Sequence, residues 1–358
     1  MLLAGAGLLL RTFINLQKTN PGLEVENVLT AHVVTADGQE ALAIEERVAR
    51  IPGVRAAGMI SLLPLQNSGW SGGFRSNGRS GMYETELRFV TPGYFRAIGI
   101  PLSAGRGFTT QDGPGTPRVI LINEALAREY FRGEDPVGRQ TNRGTIIGVV
   151  GDVRQDTLRE LAKPELYSTV AQNFAQLPTL GSTLVVRSDR TPTSLVAAIR
   201  AAIRGISPRQ ALFRVETMQG VVEASMADTH LYTWLIGLFA AMGLLLAMTG
   251  IYGVIAYLVA LRMREFGIRM ALGADAGGVR RLVVAHGLRL TALGLAVGIA
   301  LAVLVTRMLR GVLYGVAATD PITFGVMVAL LALAALAAYL APAHRASRVD
   351  PMRALRYE

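Results

Sequence analysis

The sequence predicts an α-helical membrane domain, with three full spans and a partial N-terminal span, combined with an α+β domain outside the cytoplasm. Three observations predict this fold class. Long uncharged apolar runs fill the C-terminal third of the chain, and residues 21–229 before them carry mixed strand and helix patterns. Arginines also cluster beside the apolar runs. The length of 358 residues allows two or three domains.

Three apolar runs are long enough to cross a bilayer. Leu231–Leu261 is uncharged throughout, and as a helix it exceeds a hydrocarbon core of about 30 Å, so it must tilt or project. Leu290–Thr306 is bounded by Arg289 and Arg307, whose side chains can reach the two interfaces. Pro321–Ala343 is a third uncharged run of adequate length. These runs predict three transmembrane helices.

The positions of the arginines predict the orientation of these spans. The loop between the second and third spans carries only Arg307 and Arg310, whereas the preceding loop and the C-terminal tail are much richer in arginine. The positive-inside rule places those two richer segments in the cytoplasm and the region before Leu231 outside. We therefore predict a multi-pass protein of the plasma (inner) membrane. The cytoplasmic arginines are Arg262, Arg264, Arg269, Arg280, Arg281, Arg345, Arg348, Arg353 and Arg356.

The N-terminal segment MLLAGAGLLL is apolar but too short to span a bilayer. A secretory signal would carry its positive charge before the apolar stretch, whereas here Arg11 follows it. We interpret residues 1–17 as the outer end of a fourth transmembrane helix whose beginning is missing. The chain is then a truncated product or one half of a longer protein.

The predicted organisation has eight segments. Residues 1–17 form the partial first span and residues 21–229 the outer domain. The remaining segments are a span at 230–261, a cytoplasmic loop at 262–281, a span at 282–306, a short outer loop at 307–320, a span at 321–343 and a cytoplasmic tail at 344–358. A helical pattern from Met218 to His230 predicts a continuous rod between the outer domain and the first of the full spans.

The outer domain alternates irregularly between strand and helix patterns, which favours an α+β fold. In TPGYFRAIG, Thr91 is the expected cap of a helix with Pro92 at its first position. The stretch NSGWSGGFRSNGRSG is expected to be a mobile glycine-rich loop. Strands are predicted in NVLTAHVV, RAAGMISLLPL, TELRFV, PRVILIN, GTIIGVVGDVR and STLVVRS, and helices in EALAIEERVARI, EALAREYF and PTSLVAAIRAAIRGI.

The sequence lacks the residues or the local patterns that a metal site, a serine-nucleophile site or a P-loop requires. There is no cysteine, and the four histidines are scattered, so no metal site is expected. Ser71 fits the nucleophile pattern G-x-S-x-G, but loops flank it where a strand and a helix are required. Neither Lys18 nor Lys163 follows a glycine, so the chain has no P-loop and we predict that it is not an enzyme.

The net charge of +10 is consistent with membrane topology. No basic patch is interleaved with stacking aromatics, so no nucleic-acid partner is expected. No acidic residue lies within any predicted span, which counts against an ion-coupled transporter. Gly294, Gly298 and Ala302 form a small-residue ladder that predicts close helix packing, the alternative being a lipid-facing coincidence in an Ala/Gly-rich span.

The segment RMREFGIRMALGA, residues 262–274, resembles the cytoplasmic loop signature of the MacB/FtsX-type permeases of ABC transporters. The tail PAHRASRVDPMRALRYE resembles the C-terminal signature of that family. In the outer domain, RFVTPGYFRAIGIPLSAGRGF, VILINEALAREYFRGEDPVGRQ, IIGVVGDVR and PELYSTVAQ resemble the MacB-like periplasmic core domain. These motifs most resemble those of the large duplicated orphan permeases, which carry two such halves in one chain.

The resemblance implies four transmembrane helices with the outer domain between the first and second, although the first helix is cut short here. It also implies a permease that works by mechanotransmission, in which a separate cytoplasmic ATPase binds ATP and drives movement of the outer domain for efflux or export. The implied partners are that ATPase, a second permease half, the lipid bilayer and a periplasmic adaptor. The alternative is a membrane sensor or scaffold that regulates envelope enzymes.

The loop after the first full span is the expected contact with the ATPase. On a helix, Arg262, Glu265 and Arg269 line one side, and an apolar stripe lies beside them, which suits docking into a groove of a protein. The predicted coupling residues are Arg262, Arg264, Glu265, Phe266, Gly267, Ile268, Arg269, Leu272 and Gly273. Arg345, Arg348, Asp350 and Pro351 are the predicted contacts of the tail. No cofactor is expected in this chain, because the partner subunit binds the ATP.

Overall fold

The structure is a computed structural model that describes residues 2–66, 70–77, 81–173, 182–207, 212–261, 265, 276–308, 313–317 and 319–346. The chain divides into two compact units. The outer unit is Thr19–Ala227, and the membrane unit combines Met1–Lys18 with Asp228–Glu358.

The outer unit is an α+β domain. Its strands are β1 (Val28–Val33), β2 (Val54–Ile60), β3 (Trp70–Phe74), β4 (Tyr83–Val90), β5 (Leu102–Gly105), β6 (Val119–Asn123), β7 (Gln140–Thr141), β8 (Gly144–Val150), β9 (Glu165–Thr169), β10 (Ser182–Ser188) and β11 (Leu212–Thr217). Its helices are α2 (Gly38–Ala49), α3 (Tyr94–Ile98), α4 (Glu124–Tyr130), α5 (Val196–Arg204) and α6 (Met218–Ser225).

Within the described residues, these strands form one mixed sheet in the order β11-β1-β10-β2-β4-β9-β6-β8-β5, with β3 paired to β4 and β7 paired to β8. The pairs β4·β9 and β6·β8 are parallel and the others are antiparallel. The mixture of strand directions, with helices inserted at irregular intervals, confirms the predicted α+β class of this domain.

The sheet has a narrow junction in its middle. The register of β2 with β4 includes a single residue pair, Ile60 with Val90. On one side, a core of Leu29, Ile44, Met59 and their neighbours packs under α2 and α5. On the other side, a separate core contains Phe74, Ile120, Phe131, Leu166 and their neighbours. The outer unit is therefore built as two lobes that share one sheet.

Side-chain hydroxyls supply hydrogen bonds at this junction. The Met59 amide donates to Thr91 Oγ1 (2.7 Å), and the Phe89 amide donates to Ser61 Oγ (3.1 Å). Thr91 therefore does not cap the following helix, as the sequence suggested. The N-cap of α3 is Gly93, which has no side chain with which to make a cap bond, and the Thr91 hydroxyl is engaged with the neighbouring strand.

Two further expectations for the outer unit are wrong. Trp70–Phe74 lies in the stretch expected to be a loop, but it forms β3, paired in antiparallel register with β4. The predicted rod from Met218 to His230 is interrupted, because α6 ends at Ser225 and the next helix begins at Ala227. The Met226 amide donates to Glu223 O, which closes the end of α6.

The membrane unit consists of helices α1 (Leu2–Gln17), α7 (Ala227–Leu261), α8 (Ala276–Met308) and α9 (Pro321–Ala346) in the described chain. The segments Thr229–Leu258, Gly287–Arg307 and Pro321–Tyr339 are long and apolar enough to cross a membrane. The shorter α1 packs against the other helices, and its Ala4 is buried with Ala302 of α8 and Met327 of α9.

A buried ion pair joins β4 to β9 in the outer unit. Arg88 Nε lies 2.9 Å from Glu165 Oε1, and both side chains are inaccessible to solvent. Glu165 Oε2 also accepts hydrogen bonds from Tyr167 Oη (2.6 Å) and Gln155 Nε2 (2.7 Å). These partners compensate for the removal of both charges from water, which otherwise costs several kcal/mol per ion.

Replacing Arg88 alone should destabilise the outer unit strongly. Arg88→Met leaves Glu165 buried without its counter-charge, and we expect the free energy of unfolding to fall by about 3–5 kcal/mol. Denaturant titration of the full chain in detergent, followed by Trp70 fluorescence in a Trp234→Phe background, measures this change. The double variant Arg88→Met/Glu165→Met should recover most of the stability. An Arg88→Met protein as stable as the parent would contradict this account of the pair.

Candidate coupling and membrane-packing sites

The predicted coupling loop lies between α7, which ends at Leu261, and α8, which begins at Ala276. Of the nine predicted coupling residues, only Glu265 belongs to the described chain, where it is helical and exposed. The other eight lie outside the described residues: Arg262, Arg264, Phe266, Gly267, Ile268, Arg269, Leu272 and Gly273. Their coupling role stays a prediction.

The predicted tail contacts follow the last helix. Arg345 lies in the final turn of α9, with only its backbone described. Arg348, Asp350 and Pro351 lie outside the described residues.

The small-residue ladder on α8 divides into two parts. Ala302 is fully buried against α1 and α9. By contrast, a Cβ atom placed on Gly294 or Gly298 would meet nothing within 4 Å. These two glycines line an apolar cavity of about 490 Å³ between α7, α8 and α9. Their role in packing against another helix stays a prediction, since close approach needs a partner surface.

A polar contact between α8 and α9 was missed by the sequence analysis. Tyr339 is almost fully buried, and its hydroxyl donates to the carbonyl of Gly287 (2.8 Å). Thr291 Oγ1 donates to the same carbonyl (3.0 Å) and contacts the Tyr339 hydroxyl. A Cβ on Gly287 would lie 2.9 Å from the tyrosine ring. The glycine at position 287 therefore permits the close approach of Tyr339. In the sequence, the lone tyrosine in an Ala/Leu-rich span was the available signal for this contact.

An ion pair holds α1 at the start of α9. Arg11 Nη1 contacts Asp320 Oδ2, which also accepts hydrogen bonds from the Thr323 amide (2.8 Å) and the Thr323 hydroxyl (2.6 Å). The hydrogen bonds from Thr323, together with Arg11, hold the pKa of Asp320 below its usual range. Asp320 thus has two functions: it caps α9 and provides the counter-charge of Arg11.

A second contact fixes the C-terminal half of α1. Asn15 Nδ2 donates to the carbonyl of Gly315 (3.0 Å) in the segment before α9. Gly315 has a φ of +63°, which a glycine adopts without strain. The polar residues of α1 therefore bind one short segment of the chain, whereas its apolar residues pack between helices.

The outer unit does not hold a hydrolase site at Ser71. Ser71 lies inside β3, in register with Glu86 of β4, and not on a strand-to-helix turn. Over the part of the chain that the structure describes, no group of three or more histidine or acidic residues could hold a metal ion.

Glu45 is a buried carboxyl at the junction of the two lobes. It extends from α2, and its Oε1 accepts a hydrogen bond from the Gly93 amide (3.1 Å). A side chain at Gly93 would approach Ala57 O within 2.1 Å and Glu45 Oε1 within 2.9 Å, so glycine is required here. Burial raises the pKa of Glu45 to about 7, although hydrogen bonds from Thr91 and Gly93 and the charge of Arg96 oppose the rise.

Two protein families match this chain. The MacB-like periplasmic core domain matches residues 10–206, and the FtsX-like permease C-terminal domain matches residues 237–351. The first match includes most of the outer unit, and the second runs from α7 into the tail. Together with the apolar helices, these matches define a membrane permease.

Relatives with curated descriptions belong to the same class. An uncharacterized ABC transporter permease, YknZ of Bacillus subtilis, is 25% identical over 75% of this chain and 69% of its own length. The macrolide export ATP-binding/permease protein MacB of Wolinella succinogenes is 24% identical over 76% of this chain but only 44% of its own length. The pyoverdine export ATP-binding/permease protein PvdT of Pseudomonas syringae pv. tomato is 24% identical, over 72% of this chain and 40% of its own length.

Two solved structures resemble the outer unit. The periplasmic region of MacB from Actinobacillus actinomycetemcomitans has 17% identity and a TM-score of 0.41, covering 57% of this chain and 94% of that region. The extracellular domain of YknZ has 14% identity and a TM-score of 0.35, covering 52% of this chain and all of that domain.

The chain belongs to the MacB/FtsX family of ABC transporter permeases, as its loop, tail and outer-domain motifs indicated. MacB and PvdT are each named as an ATP-binding/permease protein, and this chain spans less than half of the length of either.

The raised pKa of Glu45 predicts a pH dependence of stability. In the unfolded chain this carboxyl titrates near 4.5 and in the folded chain near 7, so the folded state retains its proton more strongly between these values. The stabilisation is complete below pH 4.5 and is lost as the pH rises through about 7, with an upper limit of about 3 kcal/mol. Thermal unfolding between pH 5 and pH 8 should show this loss, and Glu45→Gln should reduce it. An unchanged slope in the variant would contradict the assignment.

The contact between Gly287 and Tyr339 predicts unequal tolerance among the glycines of α8. Gly287→Val should clash with the tyrosine ring and lower the free energy of unfolding by about 1–3 kcal/mol. Gly294→Val is the matched control, because its side chain meets open space. Thermal unfolding in detergent compares the two variants. Equal destabilisation by both would show that Gly294 also packs closely.

Proposed function

We propose that this chain is the transmembrane subunit of an ABC exporter of the mechanotransmission type. In this proposal, a separate cytoplasmic ATPase hydrolyses ATP, and the membrane helices transmit the resulting movement to the outer unit. The observation that carries the proposal is the arrangement of the chain. A folded unit of about 200 residues, comparable to a whole domain, lies between the short apolar helix α1 and three apolar helices that are long enough to cross a membrane.

The outer unit is suited to movement between its lobes. Its two cores are separate, and the strands that join them are in register at one residue pair. A small apolar cluster of Phe89, Val170 and Leu42 crosses the junction, and bending there would leave the two larger cores intact. Side-chain hydrogen bonds of Thr91 and Glu45 cross the junction. The backbone bonds there are those from the Thr91 amide to Met59 O and from the Ser61 amide to Phe89 O.

The composition of the membrane spans favours coupling to a partner ATPase rather than coupling to an ion gradient. In the described part of the membrane spans, no aspartate or glutamate is present, and Asp320 lies just before α9. Ion-coupled transporters keep such carboxylates within the membrane to bind the ion. The energy is therefore proposed to enter at the cytoplasmic loop, residues 262–281, with a contribution from the tail.

The proposed setting is the inner membrane, with the outer unit outside the cytoplasm. In this topology α1 is the outer part of a further span, followed by the three apolar helices. The relatives named for macrolide and pyoverdine export support an outward direction of transport. A second permease half and a periplasmic adaptor complete the proposed assembly.

A charge reversal in the cytoplasmic loop tests the proposal. With the cognate ATPase in proteoliposomes, Arg269→Glu should reduce permease-stimulated ATP hydrolysis about tenfold, which corresponds to roughly 1.4 kcal/mol of lost coupling. Arg200→Glu, the same substitution at an exposed position of α5, is the matched control and should leave hydrolysis unchanged. Unchanged hydrolysis with Arg269→Glu would remove the coupling role from this loop.

A further inference from the structure

A second cavity lies in the membrane unit, between α1, α7 and α9. Its volume is about 1000 Å³, at the upper end of the range for small-molecule sites. Gly7 brings α1 close to α9, since a Cβ there would lie 2.7 Å from Thr323. Gly237 leaves the α7 side open, because a Cβ at that position would meet nothing within 4 Å. The cavity, called the outer groove below, is thus the space between α1 and α7.

The outer groove has the length of one leaflet of a bilayer. Along α7 it extends from His230 to Ala241, which is about 16 Å at 1.5 Å per residue. Half of a hydrocarbon core is about 15 Å. His230 stands at the start of the span Thr229–Leu258, so the groove occupies the outer part of that span. A transmembrane helix would need the full thickness, whereas an acyl chain of one leaflet matches this length.

The chemistry of the outer groove is apolar except at its mouth. Leu3, Leu10, Leu238 and Val326 are among its lining residues. At the mouth, Trp234 Nε1 donates a hydrogen bond to His230 Nε2 (3.2 Å). In a neutral imidazole the other ring nitrogen then carries the hydrogen, and His230 is exposed. The mouth therefore offers a hydrogen-bond donor above an apolar channel.

Aromatic rings surround this donor. The Phe13 ring lies 5.3 Å from the His230 ring, and the Trp234 ring lies 6.3 Å from it. Tryptophan is typical of the boundary between hydrocarbon and headgroups, where one end of the ring is apolar and the other is wet. A ligand that fits this groove would therefore need a polar group that accepts a hydrogen bond at His230 and an apolar group below Trp234.

We propose that the outer groove binds a single-chain amphiphile, with its acyl chain between α1 and α7 and a phosphate or carbonyl oxygen of its head at His230. The length of the groove matches an acyl chain of one leaflet, and the hydrogen-bond donor at its mouth favours a head that carries an oxygen acceptor. This ligand site is independent of the proposed coupling to an ATPase, because it depends only on residues of the membrane unit.

Quenching of Trp234 fluorescence tests the site. Trp70→Phe leaves Trp234 as the only tryptophan of the chain, and a lysophospholipid with a brominated acyl chain is titrated into nanodiscs of unbrominated phospholipid. We expect quenching that saturates at a low mole fraction. Gly237→Phe fills the groove and should raise the half-saturating mole fraction at least tenfold. Ala241→Phe, deeper in the same groove, should do the same if Gly237→Phe does not fold.

Two controls are needed. One distinguishes binding in the groove from contact with the surrounding lipid, and the other distinguishes binding of the ligand's head from binding of its acyl chain. Leu246→Phe adds a ring on an exposed part of α7 outside the groove and should leave the titration unchanged. His230→Ala should weaken binding of the lysophospholipid several-fold but not binding of a brominated alkane of equal length. Quenching that rises linearly with mole fraction and is equal in all variants would overturn the proposal, since it indicates contact with bulk lipid only.

Discussion

The exclusion of charge from a hydrocarbon core is the constraint on which the rest of the structure depends. A charged side chain inside a bilayer costs several kcal/mol unless it is paired or reaches the interface. Accordingly, Arg289 and Arg307 stand at the two ends of the apolar run of α8, and Arg11 pairs with Asp320 at the start of α9. Helix α1 also packs Ala4 against Ala302, and the outer groove lies between α1 and α7.

In the outer unit, by contrast, two charged side chains are buried and stabilised by pairing. Arg88 and Glu165 are inaccessible to water but pair with each other and with polar neighbours inside one lobe. The junction between the lobes contains a few hydrogen bonds, the protonatable Glu45 and a small apolar cluster of Phe89, Val170 and Leu42. The narrow connection between the two lobes is the feature of the outer unit on which the proposed force transmission rests.

The sequence was most informative where periodicity and charge decide the structure. Uncharged runs predicted the three apolar helices, an alternating pattern predicted β1, and short stretches rich in apolar residues predicted β6 and β10. Composition misled at Trp70–Phe74, whose glycines suggested a loop, because pairing with β4 supplies hydrogen bonds that no local pattern reveals. Thr91 carried a cap signal but its hydroxyl binds Met59. The contacts of Tyr339 with Gly287 and of Arg11 with Asp320 join residues distant in sequence, so one sequence could not indicate them.

The central claim is that ATP binding by a partner subunit moves the outer unit relative to the membrane helices. The chain has no cysteine, so spin labels can be placed at Arg200→Cys on α5 and Leu246→Cys on α7 without background. Pulsed electron paramagnetic resonance of the reconstituted complex measures the distance between the labels with and without ATP. The account predicts a shift in the distance distribution when ATP binds. An unchanged distribution, in a complex whose ATPase binds ATP, would contradict it.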